Sequence, residues 1–130
     1  MLKEFTDYLS VEFPEGVFWG DAPEAMETPY LTVEETSRTP DEAVSAEAAR
    51  SVTSTFEVTI YAKDRNTLAA RMARLRRRVD RVGEVFDLWG VRVGLMRIES
   101  EETTVEYVLG EGEETIVGRT VNVTTHYERI

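Results

Sequence analysis

Five arginines, Arg71, Arg74, Arg77, Arg78 and Arg81, combine residue type and spacing in a way that invites chemistry. At about 100° per residue of helix they gather on one flank, with Arg76 on the other side of an apolar stripe. Residues 63–82 hold eight basic and two acidic side chains, a net +6, so the rest of a chain totalling −10 carries −16. Such a guanidinium row either stays solvated or docks on an acidic surface, where complementary charge sets register and speeds association. The acids available to meet it are Glu99, Glu101, Glu102, Glu106, Glu111, Glu113 and Glu114.

Other chemistries lack their residues. The absence of cysteine removes disulfides, thiolate metal sites and cysteine nucleophiles. His126 is the one histidine, and no Gly-x-Ser-x-Gly turn accompanies it, so nothing marks a catalytic triad. Residues 111–114 read as a solvated turn rather than a calcium loop, which needs spaced ligands around a central glycine. No glycine-rich phosphate cradle follows a strand, and Gly110-Glu111-Gly112 is flanked by carboxylates that repel phosphate. Among so many acids nothing selects a catalytic pair. The expectation is a non-enzyme with no catalytic residue, no cofactor and no metal.

The net charge of −10 argues against a general nucleic-acid binder. It is compatible with a surface past which DNA slides, because a negative wall prevents sticking. No stretch approaches the roughly 20 apolar residues of a membrane helix, and the first residues lack the basic region and apolar run of a signal peptide. No membrane partner is expected.

The elements that must position the charges centre on residues 51–82. Val52, Ser54, Phe56, Val58, Ile60 and Ala62 alternate with polar residues, the period of a half-buried strand. Leu68, Met72, Leu75, Val79 and Val82 then recur at helical spacing, with Asp64 or Asn66 as N-cap and Gly83 as the C-terminal stop. Upstream, Leu2, Phe5, Leu9 and Phe13 trace a short helix ended by Pro14, and residues 17–19 and 30–34 read as strands. Residues 35–50 are polar and alanine-rich, a long loop that is mobile, orders against a neighbour, or is merely solvated. Downstream, 83–90 is a connection, 91–99 a strand with a bend near Gly94-Leu95-Met96, 99–102 an acidic break, 103–109 a strand, 110–114 a turn and 115–127 the last strand. The expected fold is a single α+β domain over 1–130, a mainly antiparallel sheet packed by an N-terminal helix and one central amphipathic helix.

This layout resembles the tail terminator (tail completion) proteins of long-tailed bacteriophages. The residues that carry the likeness are the N-terminal helix, Pro29-Tyr30-Leu31-Thr32-Val33 before a polar loop, and the strand at 52–61 running into the helix at 68–82. A strand pair joined by an acidic segment follows, and the chain closes on Thr120-Val-Asn-Val-Thr-Thr-His-Tyr. The size of the arginine stripe matches no motif of that family. The resemblance implies a tail-tube-like fold and a hexameric ring that caps the finished tail tube and joins the neck of the filled head. It also implies a virion location at the head-proximal end of the tail, with assembly in the host cytoplasm. The partners implied are other copies of the chain, the tail tube protein and a neck or head-completion protein, while genome DNA passes through without specific binding.

In such a ring, Arg71, Arg74, Arg77, Arg78 and Arg81 would meet the next copy, and the seven glutamates would line the bore or face the tube. A tail tube or neck connector subunit is the nearest alternative. A small α+β RNA- or ligand-binding module is the alternative of another class; RNA would call for exposed aromatics on a sheet beside the basic patch, with Tyr61, Trp89 and Tyr107 as candidates.

Overall fold

The alternation at 52–62 forms a strand, Ser51–Ala62, whose side chains Val52, Ser54, Phe56, Val58, Ile60 and Ala62 are completely buried. The structure is a computed structural model and describes residues 1–20, 27–40, 50–109 and 114–129. In chain order these residues form α1 (Leu2–Glu12), β1 (Val17–Trp19), β2 (Tyr30–Pro40), β3 (Ser51–Ala62), α2 (Arg65–Val79), β4 (Phe86–Leu88), β5 (Val91–Glu101), β6 (Val105–Leu109) and β7 (Glu114–Arg129). The sheet order is β1-β2-β3-β7-β5-β4, with β6 pairing β7 off that path. β1 runs parallel to β2, and the other pairings are antiparallel.

This corrects the expected α+β, tail-tube-like domain, in which a mainly antiparallel sheet is packed by an N-terminal helix and one central amphipathic helix. Strand accounts for 55% of the described residues, beside two helices, and the mixed sheet curls into half a barrel. The excess strand lies where composition pointed to loop. β2 continues through the polar residues 35–40, a stretch expected to be loop, because β3 pairs it there: Ser37 opposite Thr55, Arg38 opposite Ser54, Thr39 opposite Thr53. β5 runs through the acidic residues 99–101, and β4 forms inside the expected connection by pairing Val91 and Val93. A neighbouring strand satisfies the backbone whatever the side chains are, so polar residues facing water do not end a strand. The rest of the expected loop, 41–49, lies outside the described residues.

β7 is the spine. Of its 16 residues, 117–128 pair with β3 along one edge; along the other, 121–129 pair with β5 and 114–118 with β6. β5 and β6 are thus two segments of one arm, linked where the Glu102 N–H donates to the Thr120 carbonyl. Register shifts at Glu35/Ser37, Val93/Leu95 and Ile98/Ser100 are bulges that add twist and curl the sheet. The shift after Val93 brings Met96 onto the core side with Val91 and Val93.

Both helices pack on one face of the sheet. Phe5 of α1 stacks on Phe56 of β3 at 4.4 Å between ring centroids, and Leu68, Met72, Leu75 and Val79 of α2 are buried. Val82, expected on that stripe, lies beyond the helix and is 67% exposed. α2 ends at Val79, where the Asp80 N–H bonds the Arg76 carbonyl, and Gly83, with φ 84°, sits in the following 81–84 turn instead of capping the helix. The N-cap is Asp64, whose carboxylate accepts from the Thr67 N–H at 2.7 Å. Three polar groups share the core: the Ser54 and Tyr127 hydroxyls lie 3.2 Å apart, and Thr125 donates to the Ser54 carbonyl at 3.3 Å.

Candidate assembly surfaces

The arginine flank of α2 lies along the seam with α1. The Arg74 guanidinium donates to the Glu12 carbonyl and to the Glu12 carboxylate, the latter at 3.2 Å, with its Cζ 5.0 Å from the Phe13 ring centre. Arg78 donates twice to the Tyr8 carbonyl, at 3.1 and 2.8 Å, and stacks 3.7 Å over the Tyr8 ring. The Tyr8 hydroxyl donates back to the Arg78 carbonyl at 2.7 Å and accepts from Arg81 at 2.8 Å. Arg71 pairs with Glu15, and Arg81 with Glu84.

The physical reason is the end of α1. Its last turn carries no basic residue, and the Glu12 carbonyl has no further turn to bond. Arg74 and Arg78 supply donors and positive charge to that end from the neighbouring helix. Four of the five arginines therefore have partners within the chain. Arg77 is exposed and has no ion pair among the described residues.

The acidic set divides across the sheet. Glu101 faces α2 and takes a two-pronged hydrogen bond from Arg76, the shortest leg 2.7 Å. That bond, against the cost of partial burial, holds the Glu101 carboxyl below its ordinary range and raises Arg76. Glu99 lies on the helix-free face, where it accepts from Thr124 at 2.6 Å. Glu106 pairs with Arg65 at 3.0 Å, and Glu102 is exposed. Glu111 and Glu113 lie outside the described residues, and Glu114 opens β7. Alternation, with the bulge at Ile98/Ser100, sends Glu99 and Glu101 to opposite faces, so the described members of the set are not one surface.

The open surface is β6. Among the described residues it pairs with β7 alone, leaving its other edge unmatched, and Val105, Tyr107 and Val108 are 46, 38 and 64% exposed. A free edge carrying apolar side chains is a template for another strand. On the helix-free face, Tyr107 begins a row of rings that crosses the sheet. Centroid separations are 5.7 Å to Tyr61, 5.0 Å from Tyr61 to Tyr30 and 6.2 Å from Tyr30 to Phe18. Gly118 makes room beneath it, since a Cβ there would lie 2.9 Å from Tyr107 and 3.1 Å from Tyr61. Burial pushes the Tyr30 phenol up.

Toward the opposite end of β7, Val85 and Trp89, which flank β4 at its two ends, are also exposed. The aromatic row and the arginine flank lie on opposite faces of the sheet, so the aromatic-plus-basic pattern of an RNA platform is not assembled. The open β6 edge was missed in sequence because Val-Glu-Tyr-Val-Leu looks the same whether a strand is central or at an edge.

No protein-family model matches this sequence, and no curated protein matches it.

Proposed function

We propose that this protein is a structural part of a tailed-phage particle, a tail terminator whose copies form a ring on the finished tail tube and meet the head–neck complex. The observation that carries the proposal is the open, apolar edge of β6 at one side of a curled sheet whose other side, β2 beyond β1, offers a different open edge among the described residues. Two unlike edges complement each other head to tail, and head-to-tail contacts make rings when the rotation closes. The strand at 51–62 running straight into α2, a part of that resemblance which the fold keeps, supports the same reading.

Affinity in this ring comes from burying Val105, Tyr107 and Val108 and from strand pairing. Exposed charges such as Arg77 and Glu102 tune register and association rate. Arg71, Arg74, Arg78 and Arg81 of the flank serve contacts within the chain in this reading, and Arg77 is left for the joint between copies. The helix-free face carries Thr53, Thr55, Thr59, Thr120, Asn122 and Thr124, with Glu34, Glu57 and Glu99 among them, a surface suited to facing DNA without gripping it.

Size-exclusion chromatography with light scattering, followed by electron microscopy of the full chain with and without tail tubes, tests this. Rings, or monomers that cap tube ends, are expected. Long filaments of the pure protein would assign it to the tube instead, and monomers that ignore tube ends would remove the terminator reading.

A further inference from the structure

The β4–β5 hairpin breaks a local rule. Leu88 pairs with Val91, so the turn between them has two central residues, Trp89 at φ 41° and Gly90 at φ 90°. Positive φ at both is the primed turn whose twist suits a hairpin, and its first place favours asparagine, aspartate or glycine. A bulky side chain there is strained. Trp89 nevertheless holds that place, with its indole 63% exposed, stacking on no ring and donating no hydrogen bond among the described residues. Backbone strain and exposed apolar surface fall on one residue, at the tip of a rigid hairpin, which is where a contact with something outside the chain is to be sought.

At the far end of β5 lies a cleft of about 190 Å³ between α2, β7 and the β5–β6 link. Leu68, Ala69 and Met72 give it apolar walls, with Arg65, Arg76 and Thr104 around them; Arg119, its Nε covered by protein, also borders it. The volume lies below the roughly 300 Å³ at which drug-sized pockets begin, so it has room for one ring system. Elsewhere in the chain Arg74, Arg78 and Arg81 each lie over a ring, at 5.0 Å from Phe13, 3.7 Å from Tyr8 and 4.0 Å from Phe86. Arg65 and Arg76 are held by Glu106 and Glu101 and cover no ring among the described residues.

We infer that the Trp89 indole of one copy seats in this cleft of a second copy, against Leu68, Ala69 and Met72 and beside the guanidinium planes of Arg65 and Arg76. A guanidinium paired at its edge still offers its face to an aromatic ring, and tryptophan is the ring that cations favour most. Charge complements the fit. Residues 84–90 carry Glu84 and Asp87 and no base, a net −2, whereas the three arginines of the cleft set against Glu101 and Glu106 leave +1. The joint cannot close within one chain, because the 11 residues of β5 separate tip from cleft, roughly 30 Å of strand. Unlike sites at opposite ends make a head-to-tail contact. It uses none of the β6 edge and stands whether or not the copies cap tail tubes.

Photo-cross-linking reads this joint directly. The full chain with p-benzoylphenylalanine placed at position 89, irradiated beside ¹⁵N-labelled native chain, should link to labelled peptides that hold residues 65–76 or Thr104. Ala69→Leu in the labelled chain, at an exposed helix position, narrows the cleft and should cut that yield about tenfold or more, the scale of a lost hot spot. Trp89→Asn separates the contact from the fold. Asparagine suits the turn, so the urea midpoint should rise while self-association, measured by sedimentation equilibrium, weakens about tenfold or more. Links confined to one chain, links to another part of the labelled chain, an unchanged yield with Ala69→Leu, or unchanged association in Trp89→Asn would overturn the joint.

Discussion

The α1–α2 seam and the β6 arm are both rich in groups that could bind something, and they differ in where those groups end. At the seam, long cationic side chains fold back: Arg74 and Arg78 reach the carbonyls at the end of α1, and their guanidinium planes lie over Phe13 and Tyr8. On the arm, apolar side chains point outward along an edge that pairs nothing further among the described residues. A net charge therefore states how many charges an element holds and says nothing of which are already matched. Free surface is better measured by backbone and apolar groups that lack partners.

Changing the seam should show in stability and changing the arm should show in assembly. Leu75, wholly buried under α2, gives the largest effect: Leu75→Ala should cost ~2–5 kcal/mol by urea unfolding. A loss well under ~1 kcal/mol would mean the seam is loosely packed. Arg78→Ala removes two hydrogen bonds to the Tyr8 carbonyl and the stacking on its ring. A loss of about 1–2 kcal/mol is expected; no change would return this arginine to the list of free charges.

A smaller effect is expected from acid. The folded pKa of Glu101 lies below its ordinary value of 4.5, so its contribution is complete above that value and fades as the pH falls through the lower folded value. Unfolding curves of the native chain and of Glu101→Gln should accordingly converge as the pH drops below 4.5, and parallel curves throughout would show that the pair with Arg76 adds nothing. The smallest stability effect belongs to the arm. Val108→Lys, at a 64% exposed position, should leave unfolding within ~0.5 kcal/mol yet shift rings or tube-capping to monomers on the sizing column. Intact assembly in that variant would move the joint elsewhere.

Periodicity was the reliable guide in this sequence. The buried face of β3, the stripe from Leu68 as far as Val79 though not Val82, Asp64 as one of two candidate caps and the bend near Gly94 were legible, because each is dictated by neighbours in the chain. What escaped was set by distant partners. Residues 35–40 become strand because β3 lies alongside, and residues 86–88 because β5 returns past them. The arginine partners Tyr8 and Glu12 belong to α1 and Glu15 to the turn after it, all more than fifty residues upstream, and no local pattern discloses that packing. Arg119 left one trace, a charge between Val117 and Val121 in an alternating strand, and it could have been noticed there.

β7 bonds β3 on one side and the β5–β6 arm on the other, and it follows both in the chain. During synthesis, then, the two halves of the sheet emerge before the strand that unites them. Ser51 waits for Glu128 and Val91 for Arg129. Until then the nascent polypeptide displays two unfinished edges, open to premature pairing with other chains on the same message.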